Sequence, residues 1–93
     1  INYFVNKNIS ENSNILKKSS YILNKKFLDN PTDVLLRSFS KILKIIGEKY
    51  YPPRGKSLIH LLNRLNSSNF KKTTLSSCII DKINNMVVIY REN

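Results

Sequence analysis

The chain has 93 residues, and 16 Lys plus Arg against 6 Asp plus Glu give it a formal net charge of +10. This length allows at most one domain. The 41% of hydrophobic residues suffices for a small core and excludes intrinsic disorder. No apolar run approaches the roughly 18 residues of a membrane-spanning helix. The single Cys78 excludes an internal disulfide and a CxxC-type zinc site, and we expect a cytoplasmic protein.

The first quarter of the chain is weakly patterned. Residues 1–19 open with the apolar run Tyr3-Phe4-Val5 and continue into a polar stretch, which predicts a short helix that ends in a loop. The β-leaning run Tyr21-Ile22-Leu23 follows. It predicts a short N-terminal strand that joins a sheet farther along the chain.

A stronger pattern marks the first main helix. Asn30 is predicted as its N-cap, Pro31 as its first helical residue, and Asp33 lies at the positive end of the helix dipole. We expect the helix to run to Ile46 and to stop at Gly47, which suits a left-handed cap. Apolar residues recur at helical spacing and predict one buried face: Leu35, Phe39, Ile42, Leu43 and Ile46.

The second half of the chain predicts one more helix and a hairpin. Residues 48–55 are a connector whose two prolines end any helix. A helix over residues 56–66 is expected to bury its leucines, Leu58, Leu61, Leu62 and Leu65, and to expose Lys56, His60, Asn63 and Arg64. Residues 74–83 and 86–91 read as strands, because they are rich in Thr, Ile and Val, and Asn84-Asn85 is a plausible two-residue turn between them. The predicted fold class is α+β: two main helices followed by a C-terminal β-hairpin, joined by the short N-terminal strand.

No group of residues predicts an active site. His60 lacks an orienting partner nearby in sequence and is interpreted as a polar surface residue. Cys78 lies in a strand pattern without an activating base and is expected to be a buried, inert thiol. The six acidic residues form no metal-binding pattern, and the two glycines form no phosphate-binding loop.

The basic residues are concentrated in the middle of the chain. Residues 34–72 contain nine Lys or Arg and one acid, Glu48, a net +8 of the total +10. Arg37, Lys41 and Lys44 share the polar side of the first helix and repel one another. A solvated polar face usually mixes both signs, so this stripe indicates an anionic partner, and we interpret it as a nucleic-acid surface rather than a membrane-surface helix. The RNA-binding candidates are Arg37, Lys41, Lys44, Tyr50, Tyr51, Arg54, Lys56, Arg64, Lys71 and Lys72.

From Tyr21 onward the chain resembles the region that follows the catalytic domain in bacterial tRNA(Ile)-lysidine synthetases, especially those of α-proteobacteria. The matching motifs, in order, are Tyr21-Ile22-Leu23, the helix NPTDVLLRSFSKILKIIG, YYPPRG, TLSSC and the closing Arg91-Glu92. The chain departs from the family pattern at two places. The family commonly has glycine before the Cys, where this chain has Ser77, and a Gly-Gly pair where it has Gly47-Glu48.

The resemblance implies that residues 1–93 form one accessory, substrate-binding domain of a longer chain. The family ligates lysine to the wobble cytidine of an isoleucine tRNA, which changes the codon read from AUG to AUA. Its chemistry uses ATP, with Mg, in an N-terminal domain that carries an SGGxDS loop. That loop is absent from residues 1–93, so the resemblance implies that these residues form a non-catalytic part that binds no cofactor. The implied partners are tRNA and the catalytic domain of the same protein. Arg37 and Arg54 are the matched positions carried over as functional candidates.

Two other hypotheses remain open from the sequence. Helix, helix and hairpin is also the order of a winged-helix DNA-binding module, in which the second helix would enter the major groove. Alternatively, the chain is mainly a structural domain that docks against its catalytic domain through an apolar face of the hairpin. Exposure of Met86, Val87 or Ile89 is the feature expected in that case.

Overall fold

The computed structural model describes residues 2–17, 20–47 and 55–92. Within these ranges lie both helices and strands, and the fold class is α+β as predicted. In chain order the elements are α1 (Asn2–Asn12), β1 (Ser13–Lys17), β2 (Ser20–Leu23), α2 (Lys25–Leu28), α3 (Thr32–Gly47), α4 (Gly55–Leu65), β3 (Thr73–Leu75), β4 (Cys78–Ile83) and β5 (Met86–Arg91).

The strands form one antiparallel sheet in the order β1-β2-β5-β4-β3. The predicted N-terminal strand is confirmed as β2, which pairs with β5 and so joins the two ends of the chain. The loop predicted before it is wrong, because residues 13–17 form the edge strand β1. Its two apolar residues, Ile15 and Leu16, are adjacent and both exposed. Without alternating burial, the sequence carries no period-2 pattern that would mark this strand.

The C-terminal hairpin is confirmed, with one correction. Asn84, between β4 and β5, has a φ of 57°, in the left-handed region that Asn tolerates. The single strand predicted over residues 74–83 is wrong, because the chain turns at Ser76 and Ser77 and separates β3 from β4. Both serines are left-handed, with φ of 53° and 64°. Serine adopts a left-handed φ much less readily than Gly or Asn, so the sequence did not mark this turn, and the Thr- and Ile-rich residues around it resembled one strand.

The core lies between one face of the sheet and the helices. Alternate residues of β2, β4 and β5 are buried there: Tyr21, Leu23, Cys78, Ile80, Val87 and Ile89. The predicted inward residues of α3 and α4 pack against them, and Phe39 also contacts Phe27 edge-on, with ring centroids 6.5 Å apart. Of the three residues whose exposure was considered above as a sign of docking, Met86 is exposed, whereas Val87 and Ile89 are buried. Both side chains face the helices and have no exposed surface.

The opposite face of the sheet has a different character. Ile22, Ile79 and Val88 are half-buried and do not belong to the core cluster. At the hairpin end of this face, Ile83 and Met86 are exposed by 55% and 42%. Because paired residues in adjacent strands share a side, these residues lie on one face together with Asp81, the pair partner of Val88, and we call it the outer sheet face.

The start of α3 differs from its prediction by one residue. The carbonyl of Pro31 accepts from the N–H of Leu35, so Pro31 holds the N-cap position and the helix begins at Thr32. Asn30 is therefore not the cap. Its Nδ2 instead donates to the carbonyls of Lys26 and Phe27 and to the side chain of Asn8. At the other end, Gly47 is still helical and is the last residue of α3, so the left-handed cap predicted there is wrong.

A buried asparagine links α1 to the next two helices. Asn8 is 2% exposed, and its Nδ2 donates to Ser38 Oγ at 3.2 Å and to the Phe27 carbonyl at 3.4 Å. Its Oδ1 accepts from Asn12 and Asn30, each at 3.0 Å. Because a buried amide must satisfy its donors and acceptor, this cluster fixes how α1 packs on α2 and α3.

Two basic side chains of the sheet bind the ends of the main helices. Arg91 Nε donates to the Ile46 carbonyl at 2.9 Å, and Lys82 Nζ donates to the Leu65 carbonyl at 2.8 Å. Both side chains lie on the helix side of the sheet, because Arg91 pairs with Cys78 and Lys82 pairs with a buried valine. A cation at a helix C-terminus is favoured by the helix dipole, so these charges position α3 and α4 on the sheet.

Candidate nucleic-acid interface

The basic stripe lies along the exposed side of α3. Arg37, Lys41 and Lys44 are separated by four and three residues, which brings their side chains to one side of the helix. All three are exposed, whereas Phe39 and Ile42 on the other side are buried. The amphipathic sequence of α3 therefore separates an apolar face, which is held by the core, from a basic face that is open to a partner.

α1 turns this stripe into one wall of a groove. The groove has a volume of about 600 Å³ and lies between the two helices. Its lining comprises Asn2 and Val5 of α1 and Leu36, Arg37, Ser40, Lys41, Lys44 and Ile45 of α3. We call it the α1–α3 groove. Lys41 Nζ also donates to Asn6 Oδ1 of α1 at 2.7 Å, which ties the stripe to the other wall.

The charged residues that line the α1–α3 groove are all positive. Three of its lining residues are cations and none is acidic. Val5, Leu36 and Ile45 give it apolar surface between the charges. Such a surface attracts a polyanion, and the apolar patches can contact sugars or bases.

The other predicted site residues lie on α4 and beyond it. Lys56 is exposed on α4, and Lys71 and Lys72 are exposed in the segment before β3. Arg64 is half-buried, with its guanidinium 5.6 Å from the centroid of the Phe70 ring. None of these four cations lines the α1–α3 groove, so the structure divides the predicted site into two surfaces. Tyr50, Tyr51 and Arg54 lie outside the described residues.

A smaller groove separates α4 from β3. Its volume is about 170 Å³, and its lining residues are Ser57, His60, Leu61 and Arg64 of α4 with Thr73, Thr74 and Leu75 of β3. We call it the α4–β3 groove. The sequence did not predict this groove. β3 lies beside α4 only because the turn at Ser76 and Ser77 folds it back to pair with β4.

The single cysteine is confirmed as a buried thiol. Cys78 has no exposed surface, and its Sγ donates to the Leu43 carbonyl at 3.5 Å. Burial raises the pKa of the Cys78 thiol to about 11, and the positive charge of Arg91 acts in the opposite direction. A thiol that keeps its proton and lies in the core is not a nucleophile. His60 is exposed, as predicted.

The described residues contain no cluster of metal ligands and no membrane-spanning helix. In this part of the chain, no three His, Cys, Asp or Glu side chains come together. Nor do residues 2–17, 20–47 and 55–92 include a helix of the length and apolar character needed to cross a membrane.

Comparison with known proteins adds one sequence relationship. Over 68 residues, 72% of its length, the chain is 35% identical to the tRNA(Ile)-lysidine synthase of Wolbachia sp. subsp. Brugia malayi (strain TRS). The matched region spans 16% of that synthase. No family model matches the chain, and no solved structure gives a significant match. The chain is thus similar to about one sixth of a protein named for a tRNA modification.

Proposed function

We propose that this chain is the C-terminal, non-catalytic tRNA-binding part of a tRNA(Ile)-lysidine synthase, the ligase that attaches lysine to the wobble cytidine of tRNA(Ile) with ATP. The observation that carries the proposal is the α1–α3 groove, in which Arg37, Lys41 and Lys44 meet no lining carboxylate. The similarity to the Wolbachia synthase supports tRNA over other polyanions.

The groove suits binding rather than catalysis. Lys and Arg side chains along one helix face neutralise backbone phosphates and fix the position of a nucleic acid without reading its bases. The described residues bring no nucleophile, base or metal ligands together near Arg37, Lys41 and Lys44. The domain would hold the tRNA while ATP-dependent chemistry takes place in another domain of the synthase.

The outer sheet face is the proposed contact with that domain. Ile79, Val88, Ile83 and Met86 give it apolar surface outside the core cluster, interrupted by Asp81, the pair partner of Val88. Apolar patches of this kind on a small domain mark sites of protein contact. The basic groove and the apolar face would then serve two partners, tRNA and the catalytic domain.

Charge reversal on α3 tests the tRNA-binding proposal. We expect Arg37→Glu with Lys41→Glu to weaken binding of a tRNA(Ile) transcript at least tenfold, measured by fluorescence anisotropy at low salt. The control is Lys25→Glu with Lys26→Glu, an equal charge change at exposed positions of α2, and should stay within about threefold of wild type. Equal losses in the two variants, or no detectable binding by wild type, would contradict the proposal.

Salt and competitor arms complete the experiment. The logarithm of tRNA affinity should fall linearly with the logarithm of salt concentration, and Arg37→Gln should reduce the slope by about one. Duplex DNA is the competitor for the winged-helix alternative, in which α4 would enter the major groove. Displacement of tRNA by duplex DNA at equal nucleotide concentration would favour that alternative over the proposal.

A further inference from the structure

The α4–β3 groove has the donors of an anion site. His60 and Arg64 lie one turn apart on α4, and Thr73 supplies a hydroxyl group from the side of β3 that faces the helices, since its pair partner Ile80 is buried there. β3 is at the end of the strand order, so its outer edge also presents backbone N–H groups. No lining residue is acidic, and residues 55–80 contain no Asp or Glu.

The guanidinium of Arg64 is held in place before any ligand binds. It lies 5.6 Å from the Phe70 ring centroid, within the range of a cation–π contact. Arg64 is half-buried, unlike the exposed Lys56 on the same helix. A planar donor that is already oriented loses less conformational freedom when it binds an oxyanion than a mobile lysine does.

The size of the groove selects a small ligand. At about 170 Å³ it is well below the roughly 300–1,000 Å³ of sites that enclose whole organic ligands. A nucleoside therefore does not fit inside it, whereas one tetrahedral oxyanion does. Leu61 and Leu75 line the groove and reduce the water around the charges, which strengthens the interaction with an anion.

We propose that the α4–β3 groove binds one phosphate group of the RNA backbone, through Arg64, His60 and the Thr73 hydroxyl, as a second anchor apart from the α1–α3 groove. This inference rests on the proposed function, because the phosphate would belong to the same RNA that the α1–α3 groove binds. The two grooves share no lining residue. Two separate anchors on one chain would fix the orientation of the RNA as well as its affinity.

The lone histidine provides the measurement. His60 is the single His of the 93 residues, so its ring signals in a proton–carbon NMR spectrum are unambiguous. One arm adds inorganic phosphate at constant ionic strength, and the other adds an octauridylate RNA without a terminal phosphate. We expect the His60 signals to shift saturably with the RNA. A shift with inorganic phosphate as well would show that the phosphate group alone is sufficient.

Variants with matched charge complete the test. Arg64→Gln should weaken the RNA affinity reported by His60 about tenfold or more, and Thr73→Val, at a half-buried position, about threefold. Lys41→Gln removes the same charge from α3. If inorganic phosphate shifts the His60 signals of wild type, Lys41→Gln must leave that response within twofold. Melting curves of each variant check that it is folded, and Thr73→Val keeps the test valid if Arg64→Gln does not fold.

Three results would overturn the inference. They are His60 signals that do not move with RNA, signals that move with inorganic phosphate alone, and signals that move equally in wild type, Arg64→Gln and Thr73→Val. One result separates this inference from the proposed function. If RNA binds wild type and loses affinity on charge reversal of α3, but does not shift the His60 signals, phosphate binding in the α4–β3 groove is refuted and the proposed function stands. RNA that binds no better to wild type than to the α3 variant would refute the proposed function itself.

Discussion

Replacing Asn8 tests whether the buried amide cluster holds α1 in place. Asn8→Ala removes four side-chain hydrogen bonds, two donated by Nδ2 and two accepted by Oδ1. Several partners keep an alternative: Ser38 still donates to the Val34 carbonyl, and the Phe27 carbonyl still accepts from Asn30. The loss is therefore smaller than four full hydrogen bonds.

The magnitude follows from these contacts. Each hydrogen bond contributes about 0.5–1.5 kcal/mol net, and the 3.4 Å bond to Phe27 lies at the weak end. Adding the small cavity left by the shortened side chain, we expect Asn8→Ala to lower the free energy of unfolding by about 2–4 kcal/mol. A small domain has about 5–15 kcal/mol in total, so the variant remains folded and measurable.

Urea denaturation followed by circular dichroism is the assay. The control is Asn63→Ala, the same change at an exposed position of α4, which should alter the free energy of unfolding by less than about 0.5 kcal/mol. A loss below 0.5 kcal/mol for Asn8→Ala would refute the reasoning. Because α1 forms one wall of the α1–α3 groove, Asn8→Ala should also weaken tRNA binding, whereas Asn63→Ala should not.

A third variant separates the donors from the acceptor. Asn8→Asp keeps the oxygen that accepts from Asn12 and Asn30, but its carboxylate cannot donate to Ser38. Burial raises the pKa of such a carboxyl above its value in the unfolded chain. The folded state then retains the proton longer than the unfolded state, so the stability of Asn8→Asp should fall as pH rises from about 4 to 7. An unchanged stability over this range would contradict the burial of the site.

Two further substitutions and two measurements on Cys78 test individual features of the fold. Ser77→Gly should stabilise the chain by about 1 kcal/mol, because the φ of 64° costs a non-glycine residue about 1–2 kcal/mol and glycine recovers most of it; the measurement is the thermal midpoint. Arg91→Gln should destabilise by about 1–2 kcal/mol in urea, because the Ile46 carbonyl loses its charged donor. Cys78 should react with a thiol reagent at the rate of unfolding, since it is buried. Because its folded pKa of about 11 is raised, the unfolded thiol ionises first as pH rises, and stability should decline above about pH 9.

Each of these predictions for Ser77, Arg91 and Cys78 has an outcome that would contradict it. Ser57→Gly, at a helical position without positive φ, is the control for Ser77 and should destabilise; stabilisation by both changes would remove the argument from φ. An Arg91→Gln variant as stable as wild type would show that the contact with Ile46 contributes little. Rapid labelling of Cys78 in the native chain would contradict its burial.

The sequence predicted the helices well because their patterns are local. The leucines of α4 and the apolar positions of α3 recur every three or four residues, and such spacing by itself defines a buried face. The same spacing placed Arg37, Lys41 and Lys44 together on the exposed side of α3. The sequence alone therefore determined the fold class, the two main helices and the basic stripe.

The tertiary structure decided what surrounds that stripe. Asn8 appears in the sequence as one of many polar residues, and its burial depends on Ser38 and Asn30, which are distant along the chain. Whether a lysine is free for a partner depended equally on distant contacts: Lys44 is exposed, whereas Lys82 binds the end of α4. The strand order, the grooves and the partner of each charged side chain all depend on contacts between residues that are distant in sequence. Composition and periodicity describe local patterns and carry no information about such contacts.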